Sequence, residues 1–429
     1  MSEYNHHEYI KFIFEKYTKS ELFYKKIFEK SSDVHNFLDV YDDMNVYPVF
    51  PRPIIMPLKR KDETYQLTLN PNSKLSIKSE KDDKVSEEMD KKIKEFAKYN
   101  EEMGKLKNTD KIRRYFDYEI RDEIKKKIKF SKITNAWVKM YELLSTYSIV
   151  ENIKTDTINS FHICEHPGAF IFALQDYIKK RTNKKHDFVF QSLKPTDNPE
   201  IFKADKYLLD KFSDKLDYGK GSGDITDVEN LKFYRNKYKN RKFDIITSDC
   251  GLNCSDDFTE QENILEKVYL GAFVCAIGLS TAGTTYISKL FSFKYTKTKE
   301  LLQMMCLFYE SVDVVRLLTT KSASGEIYIV CKNYNYSGNI DEVLDKLYAY
   351  LQNKILKSYL LESFNSQFES RIEKHHYLLS MRRIVSLDML IFRYLNNKYI
   401  SDNPEILSMT SELTEYYKKY FIIYIKLDE

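Results

Sequence analysis

Between Ile133 and about Asn335, short apolar runs rich in Ile, Val, Phe and Tyr alternate with longer amphipathic stretches, and this alternation constrains the fold more than any other feature. SFHIC, FVFQSL, FDIITSD, TTYISKLF, VVRLL and EIYIVCK recur in that order, and AFIFALQDYIKKR, after the first of them, has helical spacing. Runs of β-branched and aromatic residues suit strands, and strands alternating with helical patterns argue for a parallel, doubly wound α/β sheet. In such sheets ligands bind outside the carboxyl ends of the strands. With 42% hydrophobic and 14% aromatic residues, the chain has the means to build the core such a sheet needs.

The flanks follow a different rule. Residues 1 to about 45 alternate aromatic and charged residues at helical spacing, as in Tyr9, Phe12, Tyr17, Tyr24 and Phe28. Pro48, Pro51, Pro53 and Pro57 then enforce extended chain and read as a boundary. From Lys74 to Lys129, dense Lys, Glu and Asp predict an exposed helix or helical pair supported by ion pairs. From about Tyr336 the spacing is helical again, with Leu344, Leu347, Tyr348 and Leu351 on one stripe. The expected plan is a helical, charged region over 1–130, an α/β core over 131–335 and a helical region over 336–429.

The formal charge of +4 is compatible with nucleic-acid binding without indicating it, because opposite charges are interspersed. Cys164, Cys250, Cys254, Cys275, Cys306 and Cys331 lie mostly in apolar runs and read as reduced, buried thiols. The start lacks a secretory pattern. The most apolar stretch, VYLGAFVCAIGLSTAG, is shorter than the ~20 residues of a membrane span, so a soluble, intracellular protein without membrane contact is expected.

Several residues at the edges of these elements carry possible chemistry. Lys139 lies two places after Trp137, roughly opposite a stripe of Trp137, Met140, Tyr141 and Leu144, so its helix alone predicts a solvent-facing lysine. Asp249 ends FDIITSD, and Lys289 closes TTYISK in the same way. Glu165, His166, Pro167, Gly168, Ala169 and Phe170 form a tight turn between the first strand and its helix, where a backbone can approach a ligand closely. His162 and His166 have no following ligand, so no metal site is expected.

Taken in order, ITNAWVKMYELL, HICEHPGAF, GSGDIT, FDIITSDCG, STAGTTYISKLF and TTKSASGEIYIVCKNY resemble the FtsJ-like family of RNA ribose 2′-O-methyltransferases. The likeness extends to members from large cytoplasmic DNA viruses and to cap-specific mRNA 2′-O-methyltransferases. It covers roughly residues 131–335 and implies a Rossmann-like S-adenosylmethionine-dependent methyltransferase core with helical N- and C-terminal extensions. It also implies that Lys139, Asp249, Lys289 and Glu326 form the family's catalytic Lys-Asp-Lys-Glu tetrad. Cys164, Glu165, Pro167, Gly168 and Phe170 match the loop around the methionine moiety of the cofactor, which Asp249 adjoins. Asp224 matches the acidic residue facing the adenine amino group, and Gln191 and Ser192 lie where the cofactor ribose is held. Two positions depart from the pattern: Ala169 replaces a second glycine, and Thr319, Thr320, Lys321 and Ser322 replace a proline-serine-arginine segment.

The implied chemistry explains the residue types. A ribose 2′-hydroxyl is a poor nucleophile near neutral pH, so a base must take its proton as it attacks. A lysine serves only if its pKa falls well below ~10.4, which a second cation and partial burial promote. Lys289 is the expected base and Lys139 the supporting cation, with Asp249 and Glu326 orienting both. No metal is needed. The implied substrate is RNA, foremost the first transcribed nucleotide of a capped viral mRNA, with other capping enzymes as candidate partners and the host cytoplasm, a viral factory or the virion as the setting. Methylation of rRNA or another internal site, and a non-catalytic RNA-binding scaffold, are the alternatives. The run Lys125, Lys126, Lys127 and Lys129 reads either as part of an exposed helix or as a phosphate-binding approach to the site.

Overall fold

The computed structural model describes residues 53–65, 69–73, 84–104, 117–128, 132–196, 204–251, 258–321, 323–353, 358–395, 418, 421–422 and 424–425. The expected helix before residue 45, Pro48, Pro51, Lys129, Cys254 and Ser322 lie outside them. In chain order the strands are β1 (Ile54–Lys59), β2 (Leu69–Ser73), β3 (Thr157–Ile163), β4 (Lys185–Phe190), β5 (Ile245–Ser248), β6 (Thr285–Leu290), β7 (Tyr309–Arg316), β8 (Ile327–Tyr334) and β9 (Tyr359–Leu361). The helices are α1 (Lys84–Gly104), α2 (Asp117–Lys127), α3 (Asn135–Tyr147), α4 (Ala169–Arg181), α5 (Lys206–Phe212), α6 (Val228–Tyr238), α7 (Gln261–Leu279), α8 (Thr296–Phe308), α9 (Ile340–Leu351) and α10 (Ser366–Leu395).

All six runs read as strands between SFHIC and EIYIVCK form one sheet, in the order β1-β7-β8-β6-β5-β3-β4. The sheet is mixed, not wholly parallel. β4, β3, β5 and β6 run parallel, whereas β8 is antiparallel to β6, β7 to β8 and β1 to β7. The chain passes from β3 to β4 on one side and returns to β5 on the other, which puts a topological switch point at the carboxyl ends of β3 and β5.

The N-terminal region is not only helical. β1, read as a proline-rich boundary, is the edge strand of the main sheet, and its register shifts between Pro57 and Lys59. A proline lacks a backbone donor, so an edge position at a bulge accommodates it. β2 pairs with β9, so the C-terminal region contributes a strand as well.

Successive strand residues point to opposite faces, and both faces are covered. Phe161, Ile246, Tyr286 and Ile329 face one core, packed by α6, α7, α8 and α9. Ile158, Ile245, Ile287, Tyr328 and Val330 face the other, packed by α3 and α4. A separate small cluster of Met89, Ile93, Ile384 and Leu387 joins α1 to α10. None of the described helices is long and apolar enough to cross a membrane.

Candidate active site

The strand register alone brings three of the four tetrad residues together. Ser248 pairs with Ser288 across β5 and β6, so Asp249 and Lys289 stand one step further along neighbouring strands. Lys289 in turn pairs with Tyr328 on antiparallel β8, two residues after Glu326. Side chains two apart on a strand share a face, so Glu326, Tyr328 and Lys289 all face the side on which α3 packs.

Lys139 comes to them from α3. Thr134 caps this helix, its hydroxyl accepting the Trp137 N–H at 3.2 Å. The expectation of a solvent-facing lysine fails: Trp137 to Leu144 are buried all round the helix, Lys139 included. Ile124 of α2 and Phe421, Ile422 and Ile425 belong to the same core as α3, and the Lys139 side of the helix meets Glu326 at the sheet edge. There the Lys139 ammonium donates to both Glu326 oxygens at 2.7 and 2.8 Å. Tyr328 donates its hydroxyl to Glu326 Oε1 at 2.8 Å. The Lys289 ammonium lies 2.9 Å from Asp249 Oδ1 and 3.2 Å from the Asp249 carbonyl oxygen. Two interlocked ion pairs thus occupy the carboxyl edge of the sheet.

The electrostatics depart from the expected lowered lysine. Burial alone draws the Lys289 pKa down, but the charges of Asp249 and Glu326 together outweigh it and hold Lys289 above its ordinary value. Burial pushes Asp249 up, and the Lys289 charge offsets this only in part. For Glu326 burial acts upward, yet the charges of Lys139 and Lys289 prevail and lower it. Asp249 and Glu326 were expected to balance the two lysines, and Glu165 adds a third carboxyl group that also acts to raise Lys289.

The third carboxyl is Glu165. Its Oε1 accepts the N–H groups of Phe170 and Ile171 at 2.8 and 3.2 Å, tying down the first turn of α4. Its Oε2 is buried with no hydrogen-bond partner. Burial and the Asp249 charge hold this carboxyl well above the usual range. The Phe170 side chain itself is wholly buried in the α3/α4 core, so only its backbone borders the turn.

The remaining turn residues form a cradle. Gly168 caps α4 at φ 114°, and a Cβ there would strike Leu208. Gln191 is a brace: its Oε1 accepts the Cys164 N–H at 3.2 Å, and its Nε2 donates to the Gly223 carbonyl. Ser192 Oγ accepts the His166 N–H at 3.4 Å, so this hydroxyl already serves the turn. Gly223, at φ 65°, lets the 219–224 loop meet the Ser192 backbone, where a Cβ would lie 1.9 Å from the carbonyl oxygen. Asp224 Oδ1 accepts the Thr226 N–H and hydroxyl, both at 2.8 Å, leaving its other oxygen at the half-buried rim.

The cysteine expectation is corrected here. Cys164 and Cys250 are paired as a disulfide joining the ends of β3 and β5, with Cα atoms 5.0 Å apart. Their sequence separation of 86 residues hid a proximity that the parallel register creates. Cys275, Cys306 and Cys331 are free and buried. Among the described residues no group of metal-binding side chains is assembled.

Sequence reading missed three supporting residues. Tyr328 was legible from its i, i+2 relation to Glu326. Glu142, one helical turn after Lys139, accepts the Leu318 and Thr319 N–H groups at 2.8 and 3.2 Å and the Thr319 hydroxyl at 2.6 Å. Arg316 donates to the carbonyls of Ser324, Glu326 and Lys321. Together Glu142 and Arg316 fasten the loop that delivers Glu326.

Residues 133–334 match the sequence model of the FtsJ-like methyltransferase family and form an FtsJ-like methyltransferase domain. The chain is 29% identical to the cap-specific mRNA (nucleoside-2′-O-)-methyltransferase 2 of Danio rerio over 227 residues, which is 50% of this chain and 30% of that protein. It is 26% identical to the uncharacterized protein L511 of Acanthamoeba polyphaga mimivirus over 70% of this chain and 38% of that protein. With the probable methyltransferase EP424R of African swine fever virus it shares 27% identity over 49% of this chain and 52% of that protein. The chain therefore spans 30–52% of the length of these relatives.

Proposed function

We propose that the FtsJ-like methyltransferase domain of this chain makes it an S-adenosylmethionine-dependent RNA ribose 2′-O-methyltransferase that acts on the capped 5′ end of mRNA. The observation that carries this reading is the convergence of Lys139, Asp249, Lys289 and Glu326, from one helix and three strands, into two ion pairs. The likeness to cap-specific enzymes and to viral methyltransferases supports the substrate.

The cradle beside the tetrad fits the proposed cofactor. Glu165 Oε2 is a buried carboxyl oxygen on the tetrad side with no hydrogen-bond partner, suited to a polar group of the cofactor. The spare oxygen of Asp224 suits an exocyclic amine at the rim. When bound, S-adenosylmethionine supplies a methyl group already activated by its sulfonium, so positioning dominates catalysis.

Lys289, once it has given its proton to solvent, accepts the proton of the attacking 2′-hydroxyl. Asp249 aims its Nζ. Lys139 stays charged against Glu326 and holds the nucleophilic oxygen by a charge-assisted hydrogen bond. Tyr328 and Arg316 fix Glu326 from its carboxylate and its carbonyl sides.

Calorimetric titration with S-adenosylmethionine, followed by methyl transfer to matched capped and uncapped oligonucleotides, tests this reading. Binding with transfer to the capped strand alone is expected. Transfer to both strands replaces the cap with an internal target, and absence of cofactor binding leaves an RNA-binding scaffold.

A further inference from the structure

A small cleft opens at the carboxyl edge of the sheet next to Glu326, on the face of Ile327 and Phe293, where α1 and α10, both outside the methyltransferase domain, pack against it. Its walls include Ser324 and Gly325, which lead into Glu326, and Ser292 and Phe293, which follow β6 shortly after Lys289. Met89 and Leu379 give it an apolar side, and Arg382 and Arg383 a cationic one.

Arg383 is the group that indicates a ligand. Its Nε donates to the Ala323 carbonyl at 3.1 Å. Its two terminal nitrogens make no hydrogen bond within the described residues. Gly325 makes the room they occupy, since a Cβ there would lie 2.6 Å from Nη1. The neighbouring carboxylate, Asp90, is already held by the Lys294 ammonium at 2.9 and 3.1 Å. Burial pushes the Arg383 pKa down to about 10, and the Asp90 charge only partly offsets this. A half-buried guanidinium, fixed by one nitrogen and open at two, matches a bidentate anionic acceptor.

We infer that this cleft binds a phosphodiester of the RNA strand, adjacent to the ribose presented to the tetrad, through the open edge of Arg383. The inference rests on the RNA methyltransferase reading and extends it. The nearest anions to a ribose 2′-hydroxyl are the phosphates of its own strand, and the cleft shares the 323–325 wall with Glu326. The flanking helices thereby acquire a role: α10 brings the fork, and α1 closes the cleft through Met89 and withdraws Asp90 towards Lys294.

The test compares wild type with Arg383→Gln for binding of a capped oligonucleotide across a salt series. Expected are a loss of affinity of about tenfold and a fall of about 0.7 in the salt slope, as for one lost single-strand phosphate contact. Cofactor affinity and kcat at saturating RNA stay within about twofold of wild type. Unchanged RNA affinity and slope, with transfer intact, overturn the proposal and turn the fork towards a peptide carboxylate. Should Arg383→Gln fail to fold, Arg383→Lys and wild type are compared on RNAs carrying a single neutral methylphosphonate, moved along the strand. One linkage next to the target ribose is expected to cost wild type about tenfold, and the lysine variant much less. A walk with no such linkage overturns the proposal. Failure of wild type to bind S-adenosylmethionine would remove the methyltransferase reading while leaving the RNA comparison interpretable.

Discussion

Lys139 and Glu326, 187 residues apart, meet as one ammonium against both oxygens of one carboxylate, at 2.7 and 2.8 Å. Both side chains are only 11% exposed, so removing either partner leaves a buried charge without its counterion. Glu326→Leu and Lys139→Met are each expected to cost about 3 kcal/mol. Lys139→Met combined with Glu326→Leu should cost clearly less than their sum, because neither charge remains. Urea denaturation of the four proteins checks this, and strict additivity would show that the pair contributes no coupling.

The raised pKa of Lys289 has a kinetic consequence. Its neutral form is scarce near neutrality and grows with pH, so kcat is expected to rise about tenfold per pH unit from pH 6 to 9. Asp249→Asn removes one charge that holds the lysine up, so the profile should move to lower pH although the maximal rate falls. Lys289→Ala should lower kcat by at least about a hundredfold with cofactor affinity nearly unchanged. A profile flat over this range in wild type would take Lys289 out of the base role.

How much of this was legible in the sequence follows from distance along the chain. The strands and the α4 turn were readable because period and turn chemistry are local: SFHIC, then Pro167 and Gly168, then AFIFALQDYIKKR needs no partner to be recognised. What was not readable depends on pairing. VVRLL and EIYIVCK carry no mark that makes them antiparallel, and the prolines before β1 mark extended chain without saying which sheet it joins. Lys139 looked solvent-facing because its own helix says so, and only the arrival of Glu326 from 187 residues away gives that side a buried partner. The Cys164–Cys250 pairing and the Glu142 clamp are likewise properties of register and packing, invisible in either segment alone.

Glu142 gives a pH dependence between about 4.5 and 7. Burial raises its pKa from 4.5 to about 7 despite the donors of Leu318 and Thr319. A carboxyl whose folded pKa is raised contributes stability that is fully present below 4.5 and is lost as pH rises through about 7. Thermal denaturation should therefore show wild type losing Tm relative to Glu142→Gln as pH rises from 4.5 to about 7, with a constant offset above that. Glu142→Ala, which strips three acceptor contacts, should cost about 2–4 kcal/mol. An unchanged slope in the glutamine variant would exclude Glu142 as the source.

Two buried histidines act in the opposite sense to Glu142. His162 is bonded to Ser160 and Thr247, and Ser160 also meets His186, all within 2.8 Å. Burial lowers both rings, His186 from 6.5 to about 3. A lowered histidine is neutral when folded and takes up a proton when unfolded, so stability is full above 6.5 and declines as pH falls from there towards 3. Denaturant midpoints of wild type, taken relative to His186→Gln, should fall as pH goes from 7 to 4, against the opposite trend that Glu142 contributes over 4.5–7. Parallel midpoint curves for wild type and His186→Gln over that range would mean that the ring titrates freely in the folded protein.

The tightest steric requirement lies at Gly223, and it separates the cradle from the tetrad. Its φ of 65° is left-handed, and a Cβ would lie 1.9 Å from the Ser192 carbonyl oxygen, so the 219–224 loop must shift in a Gly223→Ala variant. The obstruction is backbone and cannot rotate away. That shift breaks the bond from Gln191 Nε2 to the Gly223 carbonyl and moves Asp224, while the two ion pairs at the ends of β5, β6 and β8 keep their supports. Expected are a stability loss of about 2 kcal/mol and a weakening of S-adenosylmethionine binding of at least about tenfold, with RNA affinity little changed. Calorimetry with the cofactor and RNA binding on the same preparation measure both. Equal loss of both affinities would mean that the loop supports the whole carboxyl edge, and unchanged cofactor binding would remove Asp224 and its loop from the cofactor site.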